Sequence, residues 1–227
     1  MKSAILILLL SLLIGCRDVT PRATPTPTPV VTAAQVFSNI AETWTFKNGY
    51  GDLTSIDVAP QPDGSTVWHY TKNSDRAYWQ PGIPQAELYF RMELDGNQWY
   101  SPDFRVLFPL GCPYIWCGTG PVDATFTNTT TPGLPRPYLI IANSGTTLNT
   151  TFTDFGTSNT RWETKAYVEQ INLPVFSGFA LVSEQWEGPC AHEKWYFAPG
   201  KGLIKVIPED IGNCQDADPL LAMERIN

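Results

Sequence analysis

His69 and His192 are the only imidazoles in this 227-residue chain, so nucleophile-histidine chemistry has to run through one of them. His192 stands beside Glu193 as a formal acid/base pair, but neighbouring residues of a strand point to opposite faces. His69 alternates with Val67 and reads as a hydrogen-bonded residue in or beside a sheet. No serine sits in a GxSxG elbow, and HExxH, P-loop and GxGxxG patterns are absent from the sequence. The expectation is a protein with no catalytic residues, no metal site and no cofactor; hydrolysis would need His192 or a carboxylate pair that the sequence does not identify.

Five cysteines are present, at 16, 112, 117, 190 and 214. The last four permit three pairings. Their spacing fits neither a CxxC redox motif nor a paired zinc knuckle, so structural disulfides are expected. A hairpin folded about Gly200 and Lys201 carries Cys190 towards Ile211, which favours Cys190 with Cys214 and leaves Cys112 with Cys117. The ring so formed would hold Tyr114, Ile115 and Trp116, with little room to bury all three, and makes Tyr114 and Trp116 the candidate binding residues. The acidic stretch from Glu209 to Asp218 is rich in oxygen ligands without the spacing of an EF-hand loop, and reads as a solvated loop.

The elements that would carry these residues are mainly strands. Glu193–Ala198 and Leu203–Ile207 flank Pro199-Gly200-Lys201-Gly202, where proline sets one φ and two glycines permit positive ones. Thr43–Phe46, Leu53–Ala59 and Ser65–Tyr70 form a meander through turns at Asn48–Gly51 and Pro60–Gly64. Ala86, Leu88, Phe90, Met92 and Leu94 alternate with Glu87, Tyr89, Arg91 and Glu93, then Asp95-Gly96 turns the chain into Gln98–Tyr100. Trp162, Thr164, Ala166 and Val168 repeat the pattern. Tyr138–Ala142 and Thr147–Phe155 are further candidate strands. Thr32-Ala33-Ala34-Gln35 fits a capping box for a short helix over Ala33–Ala41, and Asp218 before Pro219 starts a second, on which Leu220, Leu221 and Ile226 dock.

Charged residues make up only 16% of the chain while glycine (17) and proline (20) are plentiful, which suits many short strands. Half-wet strands argue against a parallel α/β sheet. The expected fold class is all-β, an antiparallel meander forming a barrel, half-barrel or sandwich, with short N- and C-terminal helices. The formal charge of −7 offers no basic footprint, so nucleic acid is excluded as an expected partner.

The N-terminus carries an address. Met1-Lys2-Ser3 opens a run from Ala4 to Ile14 too short to span a bilayer, followed by Leu13-Ile14-Gly15-Cys16. This resembles a bacterial lipobox, which implies cleavage before Cys16, acylation of its thiol, and anchorage of the mature protein to a bacterial membrane, outside the cytoplasm. The absence of aspartate after Cys16, where Arg17 stands, implies sorting to an outer membrane if the cell has two. Arg17–Thr32 reads RDVTPRATPTPTPVVT, an extended polyproline-type spacer of roughly 50 Å at ~3.1 Å per residue. The organisation is thus residues 1–15 signal peptide, 16–32 lipidated cysteine and tether, and 33–227 one β-rich domain.

Trp195-Tyr196-Phe197-Ala198-Pro199-Gly200-Lys201-Gly202-Leu203-Ile204-Lys205 resembles the terminal hairpin of uncharacterised bacterial secreted proteins and lipoproteins. Some of those are similar to carriers of the LolA and LolB type, which implies a curved sheet or barrel but no active site. The expected function is a non-enzymatic, lipid-anchored binding or envelope-structural domain, with an envelope protein or a glycan as partner. The alternatives are a carrier of an apolar ligand or lipid in a β half-barrel, and a hydrolase.

Overall fold

The structure is a computed structural model that describes residues 29–36, 41–72, 87–96, 98–108, 122–127, 129–131, 134–135, 140–154, 158–187, 191–211 and 216–227. It is all-β and antiparallel. The strands are β1 (Glu42–Asn48), β2 (Leu53–Pro60), β3 (Thr66–Lys72), β4 (Glu87–Asp95), β5 (Gln98–Phe108), β6 (Val122–Thr127), β7 (Thr129–Thr131), β8 (Leu134–Pro135), β9 (Ile140–Ala142), β10 (Thr147–Asp154), β11 (Ser158–Leu173), β12 (Phe176–Glu187), β13 (Ala191–Ala198), β14 (Gly202–Ile211) and β15 (Met223–Arg225). One sheet runs β10-β11-β12-β13-β14-β15-β1-β2-β3-β4-β5-β6, with β9 added on β5, while β7 and β8 pair separately.

Helix α1 (Ala33–Val36) is capped as its sequence predicts, Thr32 N–H donating to Gln35 Oε1 at 2.9 Å. Ala33 and Val36 are fully buried and Gly200 N–H donates to the Gln35 carbonyl, so α1 sits over the β13–β14 turn. Of the helix expected over Ala33–Ala41, residues 37–40 lie outside the described residues.

The C-terminal helix is replaced by a single 3₁₀ turn, Pro219–Leu221, and a strand. Asp218 caps the turn through Leu220 N–H, but Ala222 is extended and Met223–Arg225 enters the gap between β14 and β1. Strand pairing on both sides outweighs another helical turn, because β15 satisfies backbone groups of two strands at once. Leu220 and Ile226 are exposed rather than docked.

The main core lies on one face of this sheet. Trp44, Phe46, Ile56, Trp68, Phe197 and Leu203 are each 2% exposed or less, with Trp44 edge-on to Trp68 and Trp68 tilted against Phe197 at 6.4 Å. Truncating one such ring to alanine costs about 3–5 kcal/mol. Along β4, Phe90 and Met92 face this core as their alternation predicts, but Leu94 is exposed. Leu94 pairs with the buried Trp99 and so keeps the core face, but it stands at the end of β4 beside the Asp95-Gly96 turn, where the core no longer covers it. A second apolar cluster, Ala180, Val182, Tyr196, Ala198 and Ile204, lies on the other face and is covered by Ile171, Leu173, Val175 and Phe176 at the tip of the β11–β12 hairpin.

Since every pairing is antiparallel, β3, β5, β10, β12 and β14 end, and β4, β6, β11 and β13 begin, at one end of the sheet, here the lower end. Helix α1 and the β13–β14 turn mark the upper end.

Among the described residues there is no disulfide bond; the expected pairs Cys190 with Cys214 and Cys112 with Cys117, and Cys16, lie outside them. The base of the β13–β14 hairpin is held by ladder pairing of Ala191 with Ile211 and His192 with Asp210, and by ion pairs from Glu209 to His192 and Lys194. No helix among the described residues is long and apolar enough to cross a membrane.

Candidate functional site

Two groups of polar side chains meet near the lower ends of β11–β14, one on each face of the sheet. On the core face, Thr164, Gln185 and Glu193 form a row across β11, β12 and β13, Thr164 paired with Gln185 and Gln185 with Glu193. Thr164 and Gln185 are each 1% exposed and Ser183, two residues along β12, is fully buried. Gln185 Nε2 donates to Ser183 Oγ at 3.3 Å, whereas its Oε1 is buried with no hydrogen-bond partner among the described residues. An amide oxygen left so costs about 1–3 kcal/mol unless a donor reaches it. Tyr70 of β3 faces the same region: burial, then the negative charge of Glu193, pushes its hydroxyl well above the usual tyrosine range.

On the opposite face the chemistry is charged. His192 does not pair with Glu193, which points to the core side as strand alternation requires. Its partners come from neighbouring strands: Nε2 lies 2.9 Å from Glu184 Oε1 on β12, and Nδ1 lies 3.0 Å from Glu209 Oε2 on β14. Lys194 Nζ binds Glu209 Oε1 and stands 3.6 Å from Glu184 Oε1. The imidazole is stacked on Trp186 at 4.6 Å and 11°, and Lys165 Nζ lies over the Trp186 ring at 4.4 Å. Burial works against the Lys194 ammonium, but the hydrogen bond and charge of Glu209, then the charge of Glu184, outweigh it and hold the group above the ordinary lysine range. Tyr167, whose hydroxyl bonds Glu184, is raised well beyond the usual tyrosine range, first by burial and then by the Glu184 charge.

Local register explains the assembly. Trp186 pairs with His192 and Glu184 with Lys194 across the β12–β13 ladder. Glu209 arrives by a bulge, since His192 pairs with Asp210 and Glu193 with Pro208, leaving Glu209 as the extra residue of β14. In an unbroken ladder Glu209 would oppose Glu193 and share its face; the bulge turns it towards His192. The expected acidic loop from Glu209 to Asp218 is therefore divided: Glu209 belongs to this cluster and Asp218 caps the 3₁₀ turn.

His69 is a β3 residue on the outward face, stacked on Tyr89 at 4.1 Å and 6°. The proposed binding residues Tyr114 and Trp116 lie outside the described residues. The polar row and the His192 cluster were missed at the level of sequence; the one signal for them was the mixed Glu184-x-Trp186 and His192-x-Lys194 alternation on either side of a short connection.

The chain matches no family model, no curated protein and no solved structure.

Proposed function

We propose that this chain is a non-enzymatic, lipid-anchored extracytoplasmic domain that binds a polar partner, an envelope protein or a glycan, at the lower end of its sheet. The observation that carries the reading is the buried Gln185 carbonyl oxygen, without a donor, in the row Thr164-Gln185-Glu193. A ligand hydroxyl or N–H supplies what that atom lacks. The upper end is suited to closure, with Ala33 and Val36 buried over it. The reading takes the sheet as a barrel, supported by the segment Ile140–Asp154, which pairs through β9 with β5 and through β10 with β11. Trp44, Trp68, Phe197 and Leu203 occupy the space between β1–β3 and β13–β14, which disfavours an acyl chain lying there. Both ring nitrogens of His192 face carboxylates rather than a hydroxyl or thiol, which disfavours a hydrolytic role for that residue. The Cys16 lipobox and the Thr/Pro tether supply the anchor.

The test is native mass spectrometry of the full chain extracted from membranes in mild detergent. A stoichiometric polar component is expected on the wild type and absent from Gln185→Leu, a substitution that removes the orphan acceptor while keeping an apolar volume. A retained lipid, or a component retained equally by Gln185→Leu, would overturn the site. Cys16→Ser should move the protein from the membrane to the soluble fraction, and unchanged fractionation would remove the anchor from the proposal.

A further inference from the structure

We propose that the lower end of the sheet binds the ammonium group of a linear alkylamine, held between the Gln185 carbonyl oxygen and the Glu193 carboxylate. This rests on the polar binding role proposed above for the same end, and gives its ligand a charge and a shape.

Gln185, Glu193 and Tyr70 each stand two residues from the lower end of their strands, β12, β13 and β3. Gln185 and Glu193 are directly paired with both side chains on the core face, which places their Cβ atoms ~4.5–5.5 Å apart. Gln185 is 1% exposed and its Nε2 is spent on Ser183 Oγ at 3.3 Å, so the buried atom left without a partner among the described residues is an acceptor, Oε1. An ionised glutamate is also acceptor-only. Tyr70 registers its charge: burial first, and the Glu193 carboxylate second, push the Tyr70 hydroxyl up.

Two adjacent acceptors, one of them an anion, call for a donor that carries positive charge. An ammonium has three N–H donors and no acceptor, whereas a hydroxyl brings one donor and no charge. Bonds of the charged kind are roughly twice as strong as neutral ones, and a carboxylate partner offsets the cost of taking the ammonium out of water. The shape follows from the surroundings. Tyr70 and Trp195, the latter at the next core-facing position of β13, are 1% and 5% exposed, so a slender stem reaches Gln185 where a sugar ring would have to part these side chains. Methylene groups pack along such rings, and aromatic faces attract an ammonium. Glu193 is half-buried and gives the approach from the lower end. Lys194 is no substitute for the ligand, since it faces the other side of the sheet and binds Glu209.

The experiment is calorimetry, with native mass spectrometry for stoichiometry, on the full chain in mild detergent. It compares cadaverine with pentanediol, which has the same stem and hydroxyls in place of the ammonium groups. Cadaverine should bind one-to-one and at least about tenfold more tightly than pentanediol. Glu193→Gln and Gln185→Leu should each weaken cadaverine binding by about tenfold or more, while Glu209→Gln on the opposite face should leave it unchanged. Circular dichroism on each variant establishes that it is folded, and the two probes on the wild type decide the charge even where a variant does not fold. Acetyl-lysine methylamide, which carries the same ammonium on a peptide unit, separates the sources: if it binds as well as cadaverine the ligand is a lysine side chain of a partner protein, and if it is excluded while cadaverine binds the ligand is a free amine. No cadaverine binding, cadaverine no tighter than pentanediol, or affinity indifferent to a folded Glu193→Gln would each overturn the ammonium site. Gln185-dependent binding of pentanediol alone would also overturn it, while leaving the polar binding role of the lower end standing.

Discussion

Replacing Arg225 by methionine is the sharpest test of how this sheet is held together. Arg225 lies on β15, the three-residue strand that joins β14 to β1, and its side chain is only 5% exposed. The guanidinium pairs with Glu42 Oε2 at 3.1 Å, donates to the Lys201 and Asn227 carbonyls, and lies 5.3 Å from the Trp44 ring. It thereby ties the start of β1, the β13–β14 turn and the C-terminus to one group. Methionine keeps the apolar stem against Trp44 but removes every donor. Breaking a fully buried pair from one side costs about 3–5 kcal/mol. Glu42, with 29% of its side chain exposed, can rehydrate in part, which brings the expected loss to about 3 kcal/mol. For a chain of this length that corresponds to a fall of roughly 6–12 °C in melting temperature. Urea unfolding followed by tryptophan fluorescence should show a lower midpoint with an unchanged slope. Adding Glu42→Gln should recover about 1 kcal/mol, since the stranded carboxylate causes part of the loss. A single variant within about 0.5 kcal/mol of wild type would refute the reasoning and make β15 a peripheral strand.

Two further outcomes follow from the geometry. Gly202 has φ +72° and an added Cβ would lie 2.4 Å from Trp44 Cζ2, whereas Gly64 has φ +86° and open space around it. Gly64→Ala should lose about 1–2 kcal/mol through backbone strain alone, while Gly202→Ala adds a core clash and should lose about 3 kcal/mol or more, read by thermal unfolding; equal losses would contradict the close packing of the turn on Trp44. Asp218 is held below the ordinary carboxylate value of 3.8, first by the Tyr50 hydroxyl and then by Leu220 N–H. A depressed carboxyl contributes stability that is present above its unfolded value and lost as pH falls through the folded one. The advantage of wild type over Asp218→Asn, measured by melting at a series of pH values, should therefore be full at neutral pH and fade below about pH 4; an advantage that grew on acidification would refute it.

The antiparallel strands were legible because they depend on local chemistry. Period-2 alternation in Trp44-x-Phe46, Thr164-x-Ala166 and Phe90-x-Met92, with turns at Pro60–Gly64 and Pro199–Gly202, marks strand, face and reversal within a few residues of chain. The capping residues Thr32 and Asp218 were legible for the same reason, each acting on a neighbour two or three positions away. The separation of His192 from Glu193 also followed from alternation alone. Tertiary structure decided the rest. Met223-Glu224-Arg225 is too short to announce a strand, and becomes one only because β14 and β1 offer unpaired edges on either side. Leu94 is exposed because it stands at the turn end of the β4–β5 hairpin, past the cover of the core, and Glu209 joins His192 because a bulge in β14 reverses its face. A bulge is a mismatch between two strands, and so is written in neither segment by itself. The charged cluster therefore unites residues up to 25 positions apart, Glu184 to Glu209, whose proximity exists only once three strands are in register.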